Sequence, residues 1–257
     1  MIEINLSGKI TVVSGATGQL GRVIVRTLAA AGSDVAIHYV QNEQKAEELC
    51  EEALKLGVRA IKVQADVTNQ KSVFKMRNRV VEELGKPDII VNCAVSQYKW
   101  KTILEQDIED YRDQFESCVI HNVNMIKAFV PYMIEKKRGK VIGINTESAM
   151  QNMPTQSAYV AGKRGMDGIM RVLAREVGKY NINVNQVAPG WMITEKNRDS
   201  VTTAKHRIPN YMDYMALDHR GQDQDIANAV LFLASELSDF ITGVYLPVCG
   251  GFVMPAI

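Results

Sequence analysis

Short apolar runs alternate with amphipathic stretches along the whole chain. KITVVSG (9–15) is β-branched and ends on glycine, the pattern of a buried strand that runs into a tight turn. Leu20, Val23, Ile24, Thr27 and Leu28 then recur at helical spacing, and Gly32 closes that period. DVAIHYV (34–40) reads as a second strand. NEQKAEELCEEALKLG reads as a helix of strong formers, with Asn42 as N-cap and Gly57 as stop. VRAIKVQADV is a third strand, and a helix follows over 69–84. PDIIVN (87–92) is apolar between its ends, as a strand covered on both faces is. One long helix is expected over 107–136, then strand KVIGIN, a helix over 158–179 and strand INVNQVAPG. DIANAVLFLAS closes the helices and TGVYLPVCGG the strands.

This order predicts an α/β chain with a doubly wound, Rossmann-like parallel sheet and helices on both faces. No linker, repeat or low-complexity tract divides it, so residues 1–257 read as one dinucleotide-binding and catalytic domain. Residues 194–218 are polar, aperiodic and long for a connection, which marks them as a substrate lid.

Composition narrows the partners. The chain is 46% hydrophobic and 23% charged, with a net charge of +1, so bulk electrostatics give no reason to expect nucleic acid or an anionic membrane. No apolar run approaches the ~20 residues of a membrane helix. The opening MIEINLSGKITVVSG has no basic segment leading into an apolar one, so no signal peptide is expected. Cys50, Cys93, Cys118 and Cys249 are scattered, with no Cys-x-x-Cys pair. Neither a metal site nor a disulfide framework is expected, and reduced thiols suit a cytoplasmic protein.

The candidate chemistry sits where strands end. SGATGQLG (14–21) joins the first strand to the first helix. Glycines there make either a plain tight turn or one whose backbone approaches a pyrophosphate at a helix N-terminus. The second strand ends in His38, Tyr39, Val40, Gln41 and Asn42, without the carboxylate that often binds the ribose 2′-hydroxyl of NAD. That favours NADP(H) over NAD(H), although Lys45 is the nearest cation. Asp66 and Asn92 close the third and fourth strands, either as turn residues or as walls of a nucleotide pocket. In SAYVAGK (157–163), Tyr159 and Lys163 stand i, i+4 and share one helix face. The pair is structural, or it is a proton-transfer device in which the ammonium lowers the phenol pKa. Thr146, at the end of the preceding strand, brings a hydroxyl suited to the same substrate oxygen.

Taken in order, SGATGQLG, ADV, NCAV, YVAGK, VAPG and ITGVYLPVCGG resemble the short-chain dehydrogenase/reductase family over nearly the whole chain. The resemblance implies seven parallel strands, an NAD(P)-dependent carbonyl/alcohol oxidoreductase, and a homodimer or homotetramer. It implies Tyr159 as acid/base, Lys163 as its pKa-lowering and ribose-binding partner, Thr146 in the serine position and Cys118 in the catalytic asparagine position. It implies a cofactor along Gly15, Thr17, Gln19, Leu20 and Gly21, with Tyr39 and Asn42 at the adenosine ribose and Asp66 and Val67 at adenine. Asn92 and Ala94 would follow the cofactor's ribose, and Pro189, Gly190, Met192 and Thr194 the nicotinamide amide and diphosphate. The chain departs from the family in four places: Gln19 replaces the middle glycine, Asn92-Cys-Ala-Val95 replaces N-N-A-G, Thr146 replaces serine and Cys118 replaces asparagine. Asn122, one helical turn later, competes with Cys118 for the proton-relay role if the helix is locally irregular.

Polar and aromatic residues after the fourth strand (Ser96, Gln97, Tyr98, Trp100), with 147–153 and the lid, suit a polar, sugar-like substrate. His206 and Arg207 would meet an acid group; Tyr211, Met212, Tyr214 and Met215 would equally suit an apolar ketone. Two rival readings are a dinucleotide-binding sensor or scaffold with little redox activity, and a redox-neutral lyase or epimerase with a retained cofactor. The second draws on the Gly15, Gly18, Gly21 spacing.

Overall fold

The computed structural model describes residues 4–198 and 210–254. Its strands are β1 (Ile10–Ser14), β2 (Asp34–Tyr39), β3 (Ala60–Gln64), β4 (Ile89–Asn92), β5 (Gly139–Ile144), β6 (Ile182–Pro189) and β7 (Tyr245–Val248). They form one parallel sheet in the order β3-β2-β1-β4-β5-β6-β7. The chain leaves the β3 edge and re-enters beside β1, so the strand order reverses between β1 and β4. Register places Ser14 beside Asn92, and Asn92 beside Gly143, at the carboxyl ends. Ligands bind at such a switch point.

The helices are α1 (Gln19–Ala30), α2 (Glu43–Lys55), α3 (Gln70–Glu83), α4 (Ile108–Phe115), α5 (His121–Lys136), α6 (Ser148–Gln151), α7 (Ser157–Val177) and α8 (Asp223–Ala234). Two apolar layers hold them to the sheet. One joins α1, α2 and α8 through residues such as Ile24, Leu28, Leu49 and Ile226. The other joins α3, α5 and α7 through Val73, Met125, Phe129 and Met166. The wholly buried patterns of β1, β4 and β5 follow from this double cover. No helix among the described residues is long and apolar enough to cross a membrane.

Several expected boundaries move. β3 is only Ala60–Gln64, because Asp66 turns the chain by accepting from the Thr68 N–H at 2.9 Å. β7 ends at Val248, and Gly250 and Gly251 take positive φ (62° and 79°) in the turn that follows. The expected single helix over 107–136 is broken by a wide π turn at Glu116–Ile120. Side chains fill the carbonyls around that turn: Asn122 Nδ2 donates to the Cys118 carbonyl at 2.7 Å, and His121 Nδ1 lies 3.0 Å from the Ser117 carbonyl. Gly162 of α7 packs into the bend, where an added Cβ would lie 2.7 Å from the Gln114 carbonyl.

Candidate active site

The turn after β1 is built for close approach. Gly15 has φ 65°, and a Cβ on it would sit 2.7 Å from Ala94 Cα. A Cβ on Gly21 would lie 2.2 Å from the Gly15 carbonyl oxygen, so the turn closes only on glycine. Gly18 caps α1 without any side-chain bond, which leaves the first amides of α1 free to meet an anion. Gln19 instead pins the far side of the cleft: its Oε1 accepts from the Lys196 N–H at 3.1 Å. Thr17 and Leu20 are half-buried beside it.

Two histidines anchor this turn, and neither was singled out as an anchor from the sequence. His38 Nδ1 accepts from the Gly15 N–H at 2.9 Å while Nε2–H reaches the Ala65 carbonyl at 2.9 Å. His121 Nε2 lies 2.8 Å from Ser14 Oγ, which also accepts from the Cys93 N–H at 3.1 Å. Burial lowers both pKa values, His121 to about 3, so both rings are neutral and can accept. The available signal was a polar residue inside an apolar run, at AIHY and again at CVIH.

The other cofactor positions divide by accessibility. Asn42 caps α2, its Oδ1 accepting from the Lys45 N–H at 3.0 Å. Tyr39, Val67 and Met192 are core residues, only 7%, 5% and 7% exposed, so they offer backbone rather than side chain to a ligand. Asp66 is exposed, but its Oδ1 is engaged by Thr68, the turn-residue alternative. Asn92 Nδ2 donates to Asn122 Oδ1 at 2.8 Å, while Asn92 Oδ1 is a buried acceptor with no partner among the described residues. Pro189 and Gly190 line the cavity described next, and the Thr194 N–H is held by Asn197 Oδ1 at 2.7 Å. His206 and Arg207 lie outside the described residues, as does the 199–209 portion of the expected lid.

Thr146 and Tyr159 face a cavity of about 230 Å³ that Glu147, Gln156 and Trp191 also line. Thr146 is held firmly: Tyr245 OH donates to its carbonyl, and its Oγ1 accepts from the Ser148 N–H at 3.2 Å. The Tyr159 N–H donates to Tyr98 OH at 2.9 Å, and Trp100 stacks on the Tyr159 ring at 6.3 Å between centroids. Lys163 is 3% exposed; its Nζ donates to the Ile144 carbonyl at 2.6 Å and sits 5.7 Å from the Tyr159 ring centroid. Tyr and Lys therefore meet on one helix face. The expected lowering of the phenol pKa does not result from these surroundings. Burial raises it above the ordinary tyrosine value, Cys118 and Cys93 add in the same direction, and the Thr146 hydrogen bond opposes them. Cys118 is 1% exposed, and burial raises its thiol pKa too.

A family model described as enoyl-(acyl carrier protein) reductase matches residues 15–253. With the site geometry, that match decides the family. The chain is a short-chain dehydrogenase/reductase. Among relatives of the family, 3-oxoacyl-[acyl-carrier-protein] reductase FabG of Staphylococcus epidermidis is 32% identical over 96% of this chain and 99% of its own. A blue fluorescent protein from a metagenomic library, solved with NADPH, is 30% identical with a TM-score of 0.87, over 97% of this chain and 100% of its own. A gluconate 5-dehydrogenase from Burkholderia cenocepacia J2315, solved with NADP and tartrate, is 26% identical with a TM-score of 0.89, over 97% of both chains. This short-chain dehydrogenase/reductase is thus an NAD(P)-dependent oxidoreductase of carbonyl/alcohol pairs. A nicotinamide dinucleotide fits the residues present. The glycine cradle packed over Ala94 and the uncapped first amides of α1 suit a pyrophosphate, and Asn92 Oδ1 is a buried acceptor with no partner among the described residues.

Proposed function

We propose that this enzyme is an NADP(H)-using reductase of polar, hydroxyl-bearing ketones or aldehydes, with Tyr159 as proton donor. The observation that carries it is Thr146 and Tyr159 at one cavity wall, with buried Lys163 one helical turn along from Tyr159. When bound, the nicotinamide supplies or accepts the hydride. Tyr159, a neutral phenol, gives its phenolic proton to the substrate carbonyl oxygen. The Thr146 hydroxyl steadies that oxygen and bonds the phenol. Lys163, anchored on the Ile144 carbonyl, places an ammonium near the tyrosinate that forms and reaches the nicotinamide ribose.

Gly15, Thr17, Gln19, Leu20 and Gly21 cradle the diphosphate, while Asn92 and Ala94 follow the ribose. Pro189, Gly190, Met192 and Thr194 border the nicotinamide end. Tyr39, Asn42, Asp66 and Val67 surround the adenosine, mainly through backbone. The NADP(H) preference is supported by the absence of an acid over 38–42, at the end of β2, and by Glu43, the first carboxylate after it, being held by Lys62 at 2.8 Å. The named nucleotides of the metagenomic and Burkholderia proteins agree with it. Comparing NADPH with NADH titrations tests it; equal affinities would overturn it.

Cys118 is the proton-relay residue in this reading. Asn122 positions the site, because both ends of its amide are spent on Asn92 and the Cys118 carbonyl. Exposed Ile108, Phe115 and Val172 on α4 and α7 support a homodimer or homotetramer, which sedimentation would test. The decisive experiment is Tyr159→Phe. Turnover should fall by ~10²–10⁴-fold with NADPH affinity retained; turnover that survives would remove Tyr159 from the chemistry.

A further inference from the structure

Two buried acceptors on the cavity wall are not used by the mechanism above. Glu147 is 6% exposed and Gln156 is 4% exposed, and both line the cavity with Tyr159. Glu147 Oε2 and Gln156 Oε1 have no hydrogen-bond partner among the described residues. Buried acceptors are normally paired, so two orphans on side chains that line one small cavity point to an occupant that brings donors.

The Glu147 carboxyl is aimed by a scaffold. Its backbone N–H donates to the Pro189 carbonyl at 3.0 Å, and Tyr211 OH donates to Oε1. Tyr211 is itself fixed, stacked on Phe252 at 4.1 Å and accepting from the Trp191 N–H at 3.2 Å. Oε2 packs against Gly190, where a Cβ would come within 2.8 Å. The Cys249 thiol beside it is a weak donor, and its S–H also has the Val253 carbonyl as a partner at 3.7 Å.

Building on the reductase reading, we propose that Glu147 Oε2 and Gln156 Oε1 form a two-point acceptor site for substrate hydroxyl groups, selecting neutral polyhydroxy carbonyl compounds. A hydroxyl satisfies an orphan acceptor. A methylene leaves it unpaired, which is the condition under which polar sites reject an analogue most strongly. A carboxylate substrate would add acceptors where donors are needed, and its charge would oppose that of an ionised Glu147.

The test pairs hydroxylated ketones with their deoxy counterparts: erythrulose against 2-butanone, and dihydroxyacetone against acetone, each with NADPH. In Glu147→Gln and Gln156→Leu, the hydroxylated-to-deoxy ratio of kcat/KM should fall about 10- to 100-fold. Circular dichroism and NADPH binding would establish that both variants are folded. Difference infrared spectra with NADP+ supply a readout that needs no turnover. Erythrulose should shift a carboxyl band in the wild type that Glu147→Gln lacks, and 2-butanone should leave it in place. An unchanged ratio in both variants, or a band that saturating erythrulose does not move, overturns the proposal. A band shift without reduction of any ketone would instead refute the reductase reading and leave the hydroxyl site standing.

Discussion

Replacing Glu147 by glutamine should make the enzyme more stable at alkaline pH. Glu147 is 6% exposed, and burial pushes its carboxyl up to about 7 from an ordinary 4.5, against an opposing hydrogen bond from Tyr211. The folded protein therefore holds a proton that the unfolded chain has released. Its stabilising effect is fully present below pH 4.5 and is lost as pH rises to about 7. At ~1.36 kcal/mol per pH unit, the loss above pH 7 amounts to ~3 kcal/mol. Glutamine keeps the volume and an oxygen for Tyr211 OH but cannot ionise, so the loss should vanish. For a chain of this size ~1 kcal/mol corresponds to ~2–4 °C in Tm, and ~2.5 kcal/mol of the loss falls between pH 5 and 8, so the variant should gain ~5–10 °C relative to wild type over that range. Thermal unfolding of both proteins at matched concentration and without nucleotide isolates the term, because all other titrations cancel in the difference. Parallel stability profiles across that range would refute a buried, reluctantly ionised Glu147.

Gly21→Ala places a methyl where 2.2 Å separates it from the Gly15 carbonyl, so NADPH binding should weaken by at least tenfold and the protein lose ~1–3 kcal/mol, as read by titration and urea unfolding. Asn122→Ala frees the Asn92 amide and the Cys118 carbonyl together; kcat should fall with the position of the pH profile kept, whereas Cys118→Ser should shift the profile itself. His121 is held at about 3, below its ordinary 6.5, so stability present above pH 6.5 should be lost as pH falls towards 3, and His121→Gln should flatten that slope in acid unfolding.

The parallel α/β architecture was legible because β1, β4 and β5 are apolar from end to end and the helices between them keep a clear period. The glycine turn and the Tyr159–Lys163 pair were legible for a similar reason: their geometry is local, set by φ at Gly15 and by the rise of one helix. What the tertiary structure decided involves partners far apart in sequence. His38 and His121 carry no turn signature, yet they meet Gly15 and Ser14 across 23 and 107 residues. The π turn at Glu116–Ile120 follows from the approach of Gly162 and from carbonyl bonds of neighbouring side chains, none of which a periodic pattern encodes. The raised phenol of Tyr159 and the orphan oxygen of Glu147 belong to the same class. A pKa or an unsatisfied acceptor depends on how much water the whole fold removes, and only the packed chain sets that.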